Sequence, residues 1–441
     1  MPGRGSKVRP SSCSSKLPSV HNRAREVVAG ITTFFTMSYI VIVNPSILAT
    51  EGTGMPFDGV LTATVAVCFL MTLLMGVYAN LPFAVAPGMG INAFFTYTLV
   101  LRDGVPWPVA LGIVFWAGVI FLLISATPLR ELIARAIPRE LRAAAAAGIG
   151  LFLTFIGLQH AGFVVADPVT LVRLGPLDHR AVLAMAGLLV IAVLLQRRNP
   201  LAFLAGIGGV SAAAWALGFV EPPSRIFSPP DFGLFFRFDP WGALRLALVP
   251  AIVALLFTDL FDSLSTFIGV SQAAGLVDRD GNPINLRRGL IVDALATLGA
   301  GAFGTSSGTA YIESIAGIRV GGRTGLTSIV TACCFLPCFF IAPLAASIPD
   351  FATSAVLILV GAAMFGPVVT VDFSRVEEGL PAFATIVLIP MTFSITQGIL
   401  WGFILHVALY LVADRRRDIH PVMFALALIA IGLLGLEHGW R

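Results

Sequence analysis

Four carboxylates lie in stretches of chain that carry almost no other charge: Asp259 and Asp262 in ALLFTDLFDSLSTFIG, Asp293 in LIVDALATLGAGAFG, and Glu313 in SSGTAYIESIAGI. An ionised side chain at bilayer depth costs a few kcal/mol at least, so such residues face a cavity inside the protein and mark the route of a substrate or a proton. Asp259 and Asp262, spaced i and i+3, share one helix face with Thr266. Two acids that close in a low dielectric rarely ionise together, so the pair suits loading and releasing a proton. Sodium coordination would use the same oxygens, and the residues alone leave that choice open. Glu313 follows Thr305, Ser306, Ser307, Gly308, Thr309 and Tyr311, which puts a carboxylate among hydroxyls and glycine-loosened backbone. Asp293 has small aliphatic neighbours and reads equally well as a structural acid paired across helices.

A second polar centre stands in PGMGINAFFTY. Pro87, Gly88 and Gly90 oppose a continuous helix and allow close backbone approach, and the Asn92 amide can both donate and accept near the first turn of a half-helix. GMGINA imitates a dinucleotide fingerprint, but no strand-helix-strand context surrounds it. CCFLPC is read as ordinary buried thiols and His406 as a packed polar residue, so no metal or cofactor is expected.

The elements that must position these residues are membrane spans. The chain is 57% hydrophobic and 12% charged, with repeated runs of about 20 apolar residues. Its basic residues are scattered, which argues against a nucleic-acid partner. Fourteen spans are expected: seven between 26 and 219, a Pro-rich extracytoplasmic connection at 220–245, and seven between 246 and 414. Residues 1–24 read as a disordered cytoplasmic tail rather than a signal peptide, and 415–441 as a C-terminal segment whose apolar run 421–437 is short for a tilted span. With the N-terminus inside, twenty-one Lys and Arg fall on the cytoplasmic side against six opposite.

The halves resemble each other. PGMGINAFF and GTSSGTAYIESIAG each precede a long apolar span, then Ile-Pro and another span. Seven spans per half is odd, so the second copy inserts upside down, with Glu313 facing Asn92 as its counterpart. Short Gly-interrupted segments in matching positions then mark a mid-membrane binding site with short strands and half-helices.

EVVAGITTFFTMSYIVIVNPSIL, APGMGINAFFTYT, FTDLFDSLSTFIGVSQAAGLVDRDG, RRGLIVDALATLGAGAFGTSSGTAYIESIAGIRVGGRTGLTSIV and the pair His420-Pro421 resemble the AzgA-like adenine/guanine/hypoxanthine permeases. These are a branch of the nucleobase:cation symporter-2 family of xanthine and uracil permeases, and the likeness runs from about residue 25 to 425. The resemblance implies an all-α, multi-pass protein of the plasma or inner membrane, a 7+7 inverted repeat with core and gate domains, often dimeric through the gates, that imports purine bases with protons. It implies that Gly90 and Asn92 belong to the third-span binding residues, Asp259 and Asp262 to the eighth-span acids, and Glu313 to the tenth-span acid.

Chemistry and resemblance point to one arrangement. Glu313 accepts two purine N–H bonds, Asn92 and the Gly90 region read an edge, and Ser307 and Thr309 add hydroxyls. Phe94, Phe95 or Phe267 covers the ring face. Asp259, Asp262 and Glu313 are the candidate proton-coupling groups. Two other classes remain. An anion carrier of sulfate or bicarbonate type should offer positive groups, whereas this site is acidic. An intramembrane aspartyl protease needs acids on facing helices with a GxGD segment, and that segment does not occur.

Overall fold

The computed structural model describes residues 23–127, 137–278 and 283–438. Most of the expected N-terminal tail lies outside them, and the first helix begins at Arg23. Eight helical stretches among the described residues are long and apolar enough to cross a membrane: Arg23–Leu48, Phe57–Ala79, Trp107–Ala126, Arg139–His160, His179–Gln196, Leu246–Gln272, Asp350–Thr370 and Ile395–Val412. Ala202–Ala216, Gly325–Phe340 and Pro421–Gly435 are apolar but shorter. Leu286–Phe303 carries Arg287, Arg288 and Asp293, and Val376–Thr392 is interrupted by Pro381 and Pro390. The first stretch is two helices, Arg23–Met37 and Ile40–Leu48, broken at Ser38–Tyr39.

Both Gly-rich segments contain extended chain. A three-residue strand, Val85–Pro87, leads into the short helix Met89–Ala93, which continues in a wider-wound turn to Arg102. Its partner strand, Gly308–Ala310, precedes the helix Ser314–Val320. The two strands pair antiparallel, Val85 with Ala310, Ala86 with Thr309 and Pro87 with Gly308. Extended backbone at this depth must find partners within the protein. Gly88 N–H reaches the Ser307 carbonyl at 2.8 Å, Tyr311 N–H reaches the Ala84 carbonyl at 2.9 Å, and Tyr311 Oη donates to the Pro87 carbonyl at 2.5 Å. Thr72 Oγ1 both accepts from Val85 N–H at 2.9 Å and donates to its carbonyl at 3.1 Å.

The helices pack in two sets. In one, Arg139–His160 lies along Asp350–Phe365 and Val376–Thr392, Val376–Thr392 pairs with Ile395–Val412, and His179–Gln196 packs on Ala202–Ala216. In the other, Trp107–Ala126 lies against Leu286–Phe303 and Val249–Ala274. There Gly325–Phe335 contacts Arg23–Met37 and Phe57–Leu74. Lipid supplies no hydrophobic drive for helix pairing, so small residues must let backbones meet. A Cβ on Gly301 would stand 2.7 Å from Phe115 N, and one on Gly361 would strike the Gly150 carbonyl.

The backbone of the connection at 220–245 bonds to the second set, while Val220 packs on the first beside Ala184 and Phe351. Asp231 N–H bonds Thr62 Oγ1 at 3.0 Å, Phe236 N–H the Ala302 carbonyl at 2.7 Å, and Asp239 N–H the Pro108 carbonyl at 2.8 Å. The last helix, Pro421–His438, runs beside Ile395–Val412 and touches both Val249–Ala274 and the turn Leu246–Leu248.

Candidate functional site

The paired strands hold together what the sequence scatters. Asp259, on helix Val249–Ala274, is fully buried, and its Oδ2 accepts from Thr297 Oγ1 and, at 2.8 Å, from Ser307 Oγ. Its Oδ1 is buried without a hydrogen-bond partner among the described residues. Asp293, on Leu286–Phe303, is equally buried. It accepts from Ser263 Oγ and, at 2.7 Å, from the Ala310 N–H of the second strand. Ser263 in turn lies 3.1 Å from Thr309 Oγ1, and Thr297 Oγ1 lies 2.9 Å from Ser307 Oγ. Two carboxylates thus share one hydroxyl cage, roofed by the strand that carries Thr309 and by Ser307 just ahead of it.

Asp262 and Glu313 differ from that buried pair in being only partly buried. Glu313 is the residue from which helix Ser314–Val320 starts, and its Oε1 accepts from Tyr39 Oη at 2.7 Å. Asp262 makes no side-chain hydrogen bond to the described residues, and it feels the charges of both Glu313 and Asp293. Asp259 feels the charges of Asp262 and Asp293 in the same way. Of the four acids, two are locked in hydroxyls and two are only partly buried.

On the other segment, Asn92 Oδ1 accepts from Ser306 Oγ, and its amide nitrogen has only Met89 Sδ, at 3.7 Å. Asn92 therefore bonds to the chain just ahead of the second strand. Glu313 stands three residues beyond its strand and Asn92 five beyond its own. Gly90 lies where Met89–Ala93 meets Arg139–His160. A Cβ there would strike Ile149, so only glycine admits this contact.

Phe94, Phe95 and Phe267 are all fully buried in the apolar core. Phe267 packs against Phe83, ring centroids 5.1 Å apart, beside Gly289, which commits it to holding helices together. His406 is buried with its ring 4.3 Å from Tyr410, as a packed polar side chain should be. Among the described residues no cluster of His, Cys, Asp or Glu has a metal-holding arrangement.

Sequence reasoning missed Tyr39, Thr297 and Ser263, and it placed Ser306 among the hydroxyls without its partner Asn92. Two of these carried a signal: Thr297 stands four residues after Asp293 and Ser263 four after Asp259, one turn along the same face. Tyr39 was hidden because its partner lies 274 residues away.

Comparison with known proteins follows the same lines. The xanthine/uracil permease model, described as a permease family, matches residues 24–401. The adenine permease AdeP of Escherichia coli is 40% identical over 408 residues, 92% of this chain and 91% of that protein. The guanine/hypoxanthine permease PbuO of Bacillus subtilis is 40% identical over 415 residues, 92% of this chain and 95% of that protein. Among solved structures, the transmembrane domain of a cyanobacterium bicarbonate transporter, BicA, matches with a TM-score of 0.63 at 18% identity, covering 87% of this chain and 98% of the other. At that identity the likeness is one of fold.

Proposed function

The chain belongs to the xanthine/uracil permease family, and on that premise we propose that it imports the purine nucleobases hypoxanthine, guanine and adenine together with protons, by alternating access. The observation that supports this reading most is the convergence of four acids on the crossing of two three-residue strands, two of them still free to bind. Relatives covering nine-tenths of the chain are adenine and guanine/hypoxanthine permeases.

A purine presents ring N–H donors beside acceptors on one planar edge. The Tyr39 hydroxyl occupies Oε1 of Glu313 and leaves the other oxygen, with its lone pairs, for those donors. An edge left unpaired in such a site costs far more than lost apolar contact, so hydrogen bonds set the specificity. Asp262, without a side-chain hydrogen bond among the described residues, completes the acidic edge. Gly90, Asn92, Phe94, Ser307 and Thr309 complete the substrate site in this reading.

Asp259 carries the proton. Its Oδ1, unpartnered among the described residues, is a buried acceptor, a cost that makes sense where a proton comes and goes. Protonation neutralises the loaded site, and the helix set that holds the strands then moves against the set built on Arg139–His160. In this reading the chain has fourteen spans in two inverted sets of seven, a core and a gate, with the antiparallel strand pair at the pseudo-symmetry axis. Helix Pro421–His438 stands outside these two sets, packed beside Ile395–Val412 and touching Leu246–Leu248. A dimer through the gate helices belongs to the same reading. An anion carrier of this fold would need positive charge where these acids stand.

Ligand-dependent stability tests the assignment. A ligand bound to the folded state at 100 times its Kd adds about 2.7 kcal/mol. Hypoxanthine, guanine or adenine should therefore raise the Tm of the detergent-purified protein by a few degrees, while sulfate and bicarbonate leave it unchanged. A rise with the anions and none with purines would reverse the assignment.

A further inference from the structure

Three hydrogen bonds join the far end of the third span to the ends of gate helices, away from the acids. Tyr97 Oη lies 3.0 Å from His160 Nε2, at the C-terminus of Arg139–His160. Thr98 Oγ1 donates to the Phe393 carbonyl and Arg102 Nη1 to the Thr392 carbonyl, each at 2.5 Å. Phe393 takes a left-handed backbone, φ +51°, which ends helix Val376–Thr392 and leaves the carbonyls of its last turn without helical partners. A guanidinium at a helix C-terminus also meets the negative end of the helix dipole. The Phe393 ring stands edge-on to Phe152 at 5.3 Å and Phe155 at 5.5 Å, sealing the space behind these bonds.

The corresponding end of the second repeat is different. Helix Ser314–Val320 packs against Arg23–Met37 and Val249–Ala274, both outside the gate set, and its last residues Arg319 and Val320 are exposed. Two inverted copies in the same state should not differ, so the asymmetry means that one mouth is closed and the other open. The closed mouth is the one bearing these three bonds.

We propose that Tyr97, Thr98 and Arg102 form a latch, with His160 and the carbonyls of Thr392 and Phe393 as its keeper, that holds the extracytoplasmic mouth shut and must open before external substrate can enter. The latch rests on the carrier reading above. The bonds are few, and His160 Nδ1 is buried without a hydrogen-bond partner among the described residues, so the closed state is held without being locked. Removing a latch bond shifts the population toward the outward-open state, which raises the apparent affinity for external substrate.

The experiment places a cysteine at Phe152, in a background whose five native cysteines are replaced, and labels intact cells with a membrane-impermeant maleimide. Adding Tyr97→Phe with Arg102→Gln should speed labelling at least fivefold. In the native background the same pair should lower the KM for external hypoxanthine about three- to tenfold, a change that loss of protein abundance would not produce. Unchanged labelling, or a KM that stays put while Vmax alone falls, overturns the latch. Faster labelling in a protein whose unmodified form carries no nucleobase would support the latch and overturn the substrate assignment instead.

Discussion

Exchanging Glu313 for glutamine is expected to cut hypoxanthine uptake by about 100-fold or more, with the protein reaching the membrane in normal amount. The glutamine keeps the side-chain length and one oxygen, so Tyr39 retains its acceptor and the start of helix Ser314–Val320 is undisturbed. What is lost is the charge and the second acceptor. In its place an amide N–H points at the purine's own N–H, and two charge-assisted hydrogen bonds disappear at about 1.5–3 kcal/mol each. The loss should fall on kcat/KM, measured as initial uptake of radiolabelled base normalised to membrane abundance. Glu313→Ala should be at least as inactive. Undiminished uptake by either variant would remove Glu313 from the site.

The second large effect concerns Asp259 and separates binding from coupling. Asparagine at this position still offers an oxygen to Thr297 and Ser307, so the hydroxyl cage survives the exchange. It cannot take up a proton. Moving one elementary charge through 100 mV is worth about 2.3 kcal/mol, enough for roughly 50-fold accumulation of a neutral base carried with one proton. Asp259→Asn should therefore bring the steady-state accumulation ratio down to one while exchange of internal for external base continues. A variant that still concentrates hypoxanthine, and still loses that gradient to a protonophore, would place the proton elsewhere, with Asp262 the next residue to test.

Much of this was legible in the sequence, for reasons that are local. Apolar runs mark spans because the bilayer imposes a length, and strand-prone, Gly-rich interruptions mark the crossing because broken chain there needs partners. Both Gly-rich segments do contain a short strand, Val85–Pro87 and Gly308–Ala310. The acids were visible because charge is rare in such surroundings. What depended on long-range geometry was not visible. Tyr39 meets Glu313 across 274 residues and Ser306 meets Asn92 across 214, and no period or spacing encodes either pairing.

Span boundaries suffered from the same limit. An apolar run at 26–48 conceals the break at Ser38–Tyr39 that frees the tyrosine to reach Glu313. Within the second set of seven, the helix Val376–Thr392 is stopped by the left-handed Phe393, and hydropathy cannot register a single backbone angle. Asp293 read as evenly divided between structure and function because its partners, Ser263 and the Ala310 N–H, come from another helix and a strand. Phe267 looked available as a ring cover from composition alone, and its packing on Phe83 is a property of the folded interior.

Uptake of radiolabelled hypoxanthine into cells that lack their own purine permeases, expressing this chain, tests the central claim most directly. The account predicts uptake well above empty cells, displaced by unlabelled adenine and guanine, indifferent to sulfate, and lost on adding a protonophore. Uptake no greater than in empty cells, from protein shown to be in the membrane, would contradict it.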